Sequence, residues 1–550
     1  MNKKKAFKAA SRVAMTGLVL ALLASCAREE TAVKTDLAKV QLPVQEDVTL
    51  TIWGDNIHTV VKNYSEMGVY QKLKELTGIS VEFIHPIANQ ASEQFNIMIA
   101  SKEYPDIIEG LKANYSGGFI KAYEDGVIVE LTDLLDKCAP NLKGLFNTYP
   151  QLLMESENDK GQLFAIPMIR GGNILRTYRG PIVRADYLEK FGLEAPETID
   201  DWYNMLTAFK NNGVDIPFTC INYFFNMTET FVGAYGVNFD YFLEDGKVKY
   251  GPLDDRFKDF VAEMAKWYQE GLIDSEITTN DQKITDSKVM NLGAGSFIGT
   301  TGNSLGGYIS EMSSKNPEFD LVAVPYPVLN KGDEPYFIQR DPTVQLELGS
   351  SITTTCEHPE YAMAFLDYAF SKEGNMLFNF GVEGESYEMI DGYPTYTDAV
   401  THNPDGLSFA KAGSLYARAF TKGSFVQDPK YGEQFYGQPR QRESIETWTK
   451  SLDKVVEKNI RVLGDLSPEE SEEITSIQNE INTYAGEMFI KWVMGRGDAD
   501  AEFADYQNQL KKLGIEKCIE YRQNAYDRYV EKFPEMKNPQ EIEVSEYFWK

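Results

Sequence analysis

Cysteine is scarce, at five residues in 550. Apart from Cys26 there are only Cys138, Cys220, Cys356 and Cys518, scattered, with no CxxC and no zinc-type spacing, which excludes a sequence-encoded zinc module. Four cysteines allow three pairings and the sequence does not choose among them; buried free thiols are the preferred reading. Histidine is equally rare: His58, His85, His358 and His402 lie far apart. There is no HExxH, no P-loop lysine and no GxSxG elbow, and Gly293-Ala294-Gly295 lacks the third glycine of a dinucleotide loop. No catalytic residue, metal ligand or cofactor is therefore expected. Basic residues fall short of acidic ones, 54 against 83, for a net charge of −29. Such a surface repels phosphate backbones and anionic head groups, which argues against nucleic-acid binding and against membrane attachment by charge. No internal repeat is visible. One apolar stretch near the start is too short to span a bilayer as a lasting helix, and no other run reaches that length.

That stretch has a plain anatomy. Lys3, Lys4, Lys5, Lys8 and Arg12 precede an apolar run over 15–24, and small residues follow before Cys26, the order of a secretory signal. Leu23-Ala24-Ser25-Cys26 resembles the bacterial lipobox, in which a thioether lipid is attached to the cysteine and the signal is cut before it. The expectation is a signal peptide at 1–25 and a flexible polar tether at 26–47 that holds an extracytoplasmic body at the cell membrane. Removing the five basic signal residues takes the net charge of that body from −29 to −34, so the lipid must do the anchoring.

With hydrophobic residues at 43% and aromatics at 12%, a large core is attainable. Residues 48–54 alternate like a strand and stop at a glycine; 65–77 carries an apolar helical face ending at Gly78; strand, helix and strand patterns follow at 79–84, 90–101 and 104–110. This is the grammar of an open α/β sheet, whose ligands sit beyond the carboxyl ends of the strands. Segments 162–167 and 173–178 read as extended, and 184–191 and 199–209 as helices. A hairpin turns at Asp245-Gly246, an amphipathic helix covers 253–270, and a second βα alternation runs over 293–324. A strand at 350–355 and a helix at 359–370 follow. The last third reads as helical, with Ser467-Pro468-Glu469-Glu470 as a capping box.

Aromatics are the most informative candidates, because a sugar ring has apolar C–H faces that pack on flat rings and hydroxyl edges that need polar partners. Trp53 ends a strand at the expected rim beside Asp55 and Asn56 and reads as a ligand platform, with core packing the alternative. Trp202 and Trp267 lie on helices at core spacing. Trp448 stays open between core and site. Asp106 lies on a rim strand, and a structural hydrogen bond competes with a ligand role. Asn303 lies in a glycine-rich turn with Thr300 and Thr301, ahead of a helix whose N–H groups could meet a polar ligand. Gln339 and Arg340 are weaker candidates in a polar connection. Glu383-Gly384-Glu385 could be a catalytic carboxylate pair, but a loop or ligand-contact role is the better reading.

Several segments, in order along the chain, resemble the extracellular solute-binding proteins of family 1 that serve carbohydrate ABC importers: Gly161-Gln162-Leu163-Phe164-Ala165-Ile166-Pro167; Val183-Arg184-Ala185-Asp186-Tyr187-Leu188 with Thr198-Ile199-Asp200-Asp201-Trp202; Gly271-Leu272-Ile273-Asp274; His358-Pro359-Glu360 with Phe365-Leu366-Asp367-Tyr368; Phe380-Gly381-Val382-Glu383-Gly384-Glu385; and Ala525-Tyr526-Asp527-Arg528-Tyr529. The resemblance implies a two-lobed α/β fold of the periplasmic-binding-protein kind, with a hinge, a helical C-terminal region and a sugar held between the lobes. The expected lobes are 48–160 with about 330–375, and 161–329 with about 376–550. The expected function is capture of an oligosaccharide and its delivery to a permease by a monomeric, lipid-anchored receptor that is not an enzyme. An oligopeptide receptor or a surface carbohydrate-active enzyme is the alternative. The site residues expected on this reading are Trp53, Asp55, Asn56, Asp106, Asn303, Arg340, Glu385 and Trp448. Relatives often carry a calcium-type loop after the helix at 200–210. Here only Asn211-Asn212-Gly213-Val214-Asp215-Ile216-Pro217 stands there, so no calcium is expected.

Overall fold

The alternating segment that opens the body forms β1 (Val48–Trp53), and the chain then runs through α1 (Gly68–Thr77), β2 (Ile79–Ile84), α2 (Ala91–Ser101) and β3 (Ile107–Glu109). Gly78 closes α1 in the left-handed conformation, with φ of 74°, which a side chain would resist. The computed structural model describes residues 40–57, 60–87, 90–225, 231–450, 452 and 464–550. Cys26, the signal segment, the first part of the tether and His58 lie outside the described residues. The chain is held before β1 begins: the Val44 N–H donates to the Thr77 carbonyl, so the tether ends earlier than the polar composition of 26–47 suggests.

After β3 come β4 (Ile166–Arg170), β5 (Arg179–Arg184), α3 (Ile199–Asn211), β6 (Ile216–Thr219), the hairpin β7 (Tyr241–Glu244) and β8 (Lys247–Tyr250), α4 (Asp255–Gln269), β9 (Ala294–Thr300) and β10 (Leu321–Ala323). They lead to β11 (Val344–Ile352), α5 (Pro359–Tyr368), the hairpin β12 (Tyr387–Ile390) and β13 (Tyr393–Tyr396), β14 (Val426–Gln427), α6 (Pro439–Thr449) and three long helices, α7 (Pro468–Val493), α8 (Ala499–Leu513) and α9 (Ile515–Lys532). The Ser467–Glu470 capping box forms as expected: each residue's side chain accepts from the other's backbone N–H.

Two separate sheets define two α/β lobes. The first has the order β14–β4–β11–β3–β1–β2, in which β11 alone runs against its neighbours. The second has the order β10–β5–β9–β6, with β5 antiparallel to both neighbours. Because β4 and β14 pair into the first sheet, residues 166–170 and 426–427 belong to the first lobe rather than to the second, where the sequence placed them. The second lobe holds the largest apolar core, in which Trp202 and Trp267 of α3 and α4 meet residues of α7 and α8. Cys138, Cys220, Cys356 and Cys518 are free thiols. No helix among the described residues is long and apolar enough to cross a membrane.

Candidate functional site

Strand polarity decides where a ligand can sit. In the first sheet β1, β2, β3, β4 and β14 all end on one rim. In the second, β6, β9 and β10 end, and β5 begins, on one rim. Three segments join the lobes: 171–178 from the end of β4 to the start of β5, 324–343 from the end of β10 to β11, and 428–438 from the end of β14 to α6. Each departs from a rim, so the strand ends of both sheets face a shared cleft, the place where open α/β folds bind.

On the first rim, Gly54, Asp55 and Asn56 follow β1. Gly54 is held close by its neighbours: a Cβ there would lie 2.6 Å from Oε2 of Glu109. Glu109 ends β3 and accepts both bonds of a buried pair, from Arg418 Nη2 at 2.8 and 3.0 Å. Burial raises the carboxyl above its ordinary value and the Arg418 guanidinium opposes the shift. Asp55 pairs with Lys422 at 3.0 Å, both about 40% exposed. His85 accepts the Tyr64 N–H on Nε2 at 3.1 Å, so its proton sits on Nδ1, 2.7 Å from the Gly54 carbonyl. Burial also lowers its pKa, which favours this neutral ring.

Ile166 stands level with Ser350, and Ser350 with Glu109, so the β4–β11 ribbon overshoots the rim by four residues, roughly 13 Å. At its tip Asp341 gathers polar groups from the first two crossings and from both strands of the ribbon. It accepts from Tyr178 Oη at 3.2 Å, Gln339 Nε2 at 3.0 Å and Gln345 Nε2 at 3.4 Å. Arg170 lies 3.5 Å from the same carboxylate and donates to Gln427. Burial first, then the Asp341 charge, lifts the Tyr178 phenol to about 12, so it remains a neutral donor. Gln339 Oε1 accepts the Tyr178 and Arg179 N–H groups, tying two crossings together. On the second rim, Thr300 ends β9 and caps a π-helical turn over Thr301–Gly306, a geometry frequent at functional sites. Asn303 is exposed on that turn. A Cβ on Gly302 would come within 2.8 Å of the Phe435 ring in the third crossing.

The family model described as bacterial extracellular solute-binding protein matches residues 61–376. The chain belongs to that family. It is similar to the fructooligosaccharide ABC transporter substrate-binding protein FusA of Streptococcus pneumoniae serotype 4, at 24% identity over 93% of this chain and 96% of that protein. It is also similar to lipoprotein LipO of Bacillus subtilis, at 26% identity over 65% of this chain and 71% of that one. The crystal structure of alginate-binding protein AlgQ2 without calcium ion superposes with a TM-score of 0.72 and 26% identity, covering 89% of this chain and all of that one. Two lobes bridged by crossing segments are thus the fold of the family, as the sequence motifs implied.

Of the residues singled out from sequence, Asp55, Asn56 and Asn303 stand on the facing rims. Asn56 spends its amide on the Val61 and Lys62 carbonyls and shapes the loop after β1. Trp53 is not a platform in this structure. It is the last residue of β1, 7% exposed, with its edge against Phe95 at 6.3 Å. Asp106 stands ahead of β3, at the opposite end from the rim, and is satisfied by the Thr51 N–H and hydroxyl, each at 2.7 Å. Arg340 points away from the floor to an ion pair with Glu541; alternation along the extended chain puts Gln339 and Asp341 on the other side. The sequence reading was thus off by one residue there, and Asp341, Arg170 and Tyr178 went unnoticed. Glu385 is exposed in the turn before β12, whose hairpin joins neither sheet. Trp448 is a core residue, 1% exposed, with Nε1–H donating to the Val324 carbonyl at 3.0 Å.

A calcium ion of the kind AlgQ2 was solved without does not fit the stub after α3. Its side-chain oxygens are those of Asn211, Asn212 and Asp215, all exposed, and the Asn212 amide is turned back on the Ala208 carbonyl. A calcium site wants about six to eight oxygens.

Proposed function

We propose that this protein captures an uncharged oligosaccharide between its lobes and presents it to an ABC importer, held to the extracytoplasmic face of the membrane by lipid on Cys26. The observation that carries the reading is the chemistry of the facing rims. Asp55, Tyr178, Asp341 and Asn303 offer carboxylate, phenol and amide groups suited to sugar hydroxyls. The cations beside them are spent within the protein: Lys422 on Asp55, Arg170 on Asp341 and Arg418 on Glu109. An anionic ligand would have to break those pairs. A neutral polyol can add to them, each bond contributing about 0.5–1.5 kcal/mol net. The lobes turn about their crossings as a ligand that touches both is taken up. The similarity to FusA and the lipobox-like Leu23-Ala24-Ser25-Cys26 support the sugar and the anchor respectively.

Thermal-shift screening against a glycan library, with an oligopeptide library beside it, tests the reading. A rise in melting temperature with neutral oligosaccharides and none with peptides is expected. Incubation with the best glycan should leave it intact. A shift with peptides alone, or cleavage of the glycan, overturns the proposal in favour of a peptide receptor or a carbohydrate-active enzyme.

A further inference from the structure

The last residues of the chain touch every segment that joins the lobes. Helix α9 is rooted on the second lobe, where Gln523 accepts from the Val248 N–H at 2.8 Å and Tyr526, Tyr529 and Val530 pack with Leu243 and Val248. From there the chain leaves through Phe533 and runs back across the crossings. The Gly171 carbonyl accepts from the Val544 and Ser545 N–H groups at 3.0 and 3.1 Å. Arg176 of the same crossing donates to Glu541 Oε2 at 2.6 Å. Arg340 of the second crossing forms an ion pair with the same Glu541. In the third, Asp428 accepts from Trp549 Nε1 at 2.7 Å, and the Lys430 ammonium sits 3.1 Å above the Trp549 ring. The far anchor is on the first lobe, where Gln540 and Gln151 exchange two hydrogen bonds at 2.9 and 3.0 Å. Val544 and Phe548 are buried along the way.

We propose that residues 540–549 are a strap that binds the three crossings into a single hinge, with Glu541 and Trp549 as its positioning residues. Three separate connections can each twist on their own; a fourth chain bonded to all of them makes them turn together. Glu541 has the central place because it holds guanidinium groups from two crossings at once. Arg176 is 3% exposed and Arg340 17%. Burial, and for Arg340 next the like charge of Arg176, pulls both guanidinium groups below their ordinary values, and Glu155 opposes the shift in both; the Glu541 carboxylate lies directly against the pair. Third-crossing contacts are independent of Glu541 and run through the Trp549 ring and its N–H.

The test needs no ligand and so stands apart from the choice of solute. Glu541→Gln and Trp549→Phe are made in the full chain, and amide hydrogen exchange is followed by mass spectrometry in peptides covering 171–178, 336–343 and 428–432, with β1 and β9 as references. Glu541→Gln should speed exchange in the first two crossings by about tenfold to a hundredfold, the factor that loss of one charge-assisted bond implies. Trp549→Phe, which keeps a six-membered aromatic ring but loses the pyrrole ring with its N–H donor, should speed the third by roughly tenfold. The reference strands should exchange as in the wild type. Wild-type exchange in the crossings of both variants, acceleration confined to the tail, or acceleration spread evenly over both lobes would each overturn the proposal.

Discussion

Trp448 separates packing from binding. Its indole lies under the second sheet, and a Cβ on Gly180 of β5 would fall within 2.6–3.0 Å of three ring atoms. Replacing it with alanine removes a fully buried tryptophan and one hydrogen bond, and the strand above it cannot drop into the gap. The expected loss is about 3–5 kcal/mol of stability, of which the Nε1–H bond to Val324 accounts for roughly 1 kcal/mol. Trp448→Phe should cost about half as much on the same scale. Gly180→Ala in the wild-type background should cost about 1–3 kcal/mol through overpacking. The double variant Gly180→Ala/Trp448→Phe should cost less than the two singles together, because the smaller ring makes room for the new methyl; the coupling should reach about 0.5–3 kcal/mol. Guanidinium unfolding followed by fluorescence gives the stabilities, and calorimetric titration with the best-binding glycan gives the affinities. Affinity should stay within about twofold in every variant that remains folded, since the ring has no face toward the cleft. A Trp448→Ala protein that unfolds at the wild-type midpoint and no longer binds would refute this account and return the ring to the site.

Asn303 is exposed on the second rim, so Asn303→Ala should leave the melting temperature unchanged and weaken oligosaccharide binding by about 0.5–1.5 kcal/mol by calorimetry; unchanged affinity would remove it from the site. Asp367 is buried beneath the Asn141 and Leu142 N–H groups, and burial lifts its carboxyl to about 6 although those bonds oppose the shift. The native state therefore binds this proton more readily than the unfolded chain. The group's contribution to stability is full below about pH 4 and is lost as pH rises through about 6, an effect of about 3 kcal/mol. Measured against Asp367→Asn, the wild type should gain relative stability by that amount between pH 7 and pH 4; a flat difference would refute the assignment. Millimolar calcium should not raise the melting temperature, and chelation should not lower it, because the exposed side-chain oxygens of three residues after α3 cannot replace the ion's hydration shell.

The first five elements were legible in the sequence because each carries its own apolar pattern, and β1, α1 and β3 stop at a glycine. The Asp245-Gly246 hairpin was legible for the same reason: its φ values of 53° and 73° belong to a turn that this dipeptide favours. An identical signal at Asp391-Gly392, with φ of 50° and 79°, sits in β12–β13 and was lost in a region read as helical. Segment 173–178 looked extended, but it is a crossing with a 3-10 turn at Asn173–Leu175. The strand beyond it, β5, was masked by Gly180 and Pro181, residues that ordinarily mark a strand's edge. The rim residues after β1 could be named because one strand's direction fixes its carboxyl end. The Asp341 floor could not, since it assembles groups from five places in the chain and no local pattern announces that 170, 178, 341, 345 and 427 meet.

That assembly also bears on what the cleft can accept. Asp341 has two carboxylate oxygens and already receives three neutral donors and the Arg170 guanidinium, yet it keeps about a quarter of its surface open to solvent. A group so placed is fixed in direction before a ligand arrives and still has a lone pair to give. A free cation at the floor would draw anions unselectively. A carboxylate held by its own arginine instead asks for a hydroxyl donor, and the Tyr178 phenol beside it, kept neutral by burial and by that same charge and donating its proton to Asp341, offers its oxygen as a second acceptor. Acceptors side by side on that floor suit the paired hydroxyls of a sugar ring better than a peptide backbone, whose donors and acceptors alternate along an extended chain. On the proposed function the floor selects for class of ligand, and the rims at Asp55 and Asn303 are left to select for length and linkage as the lobes turn.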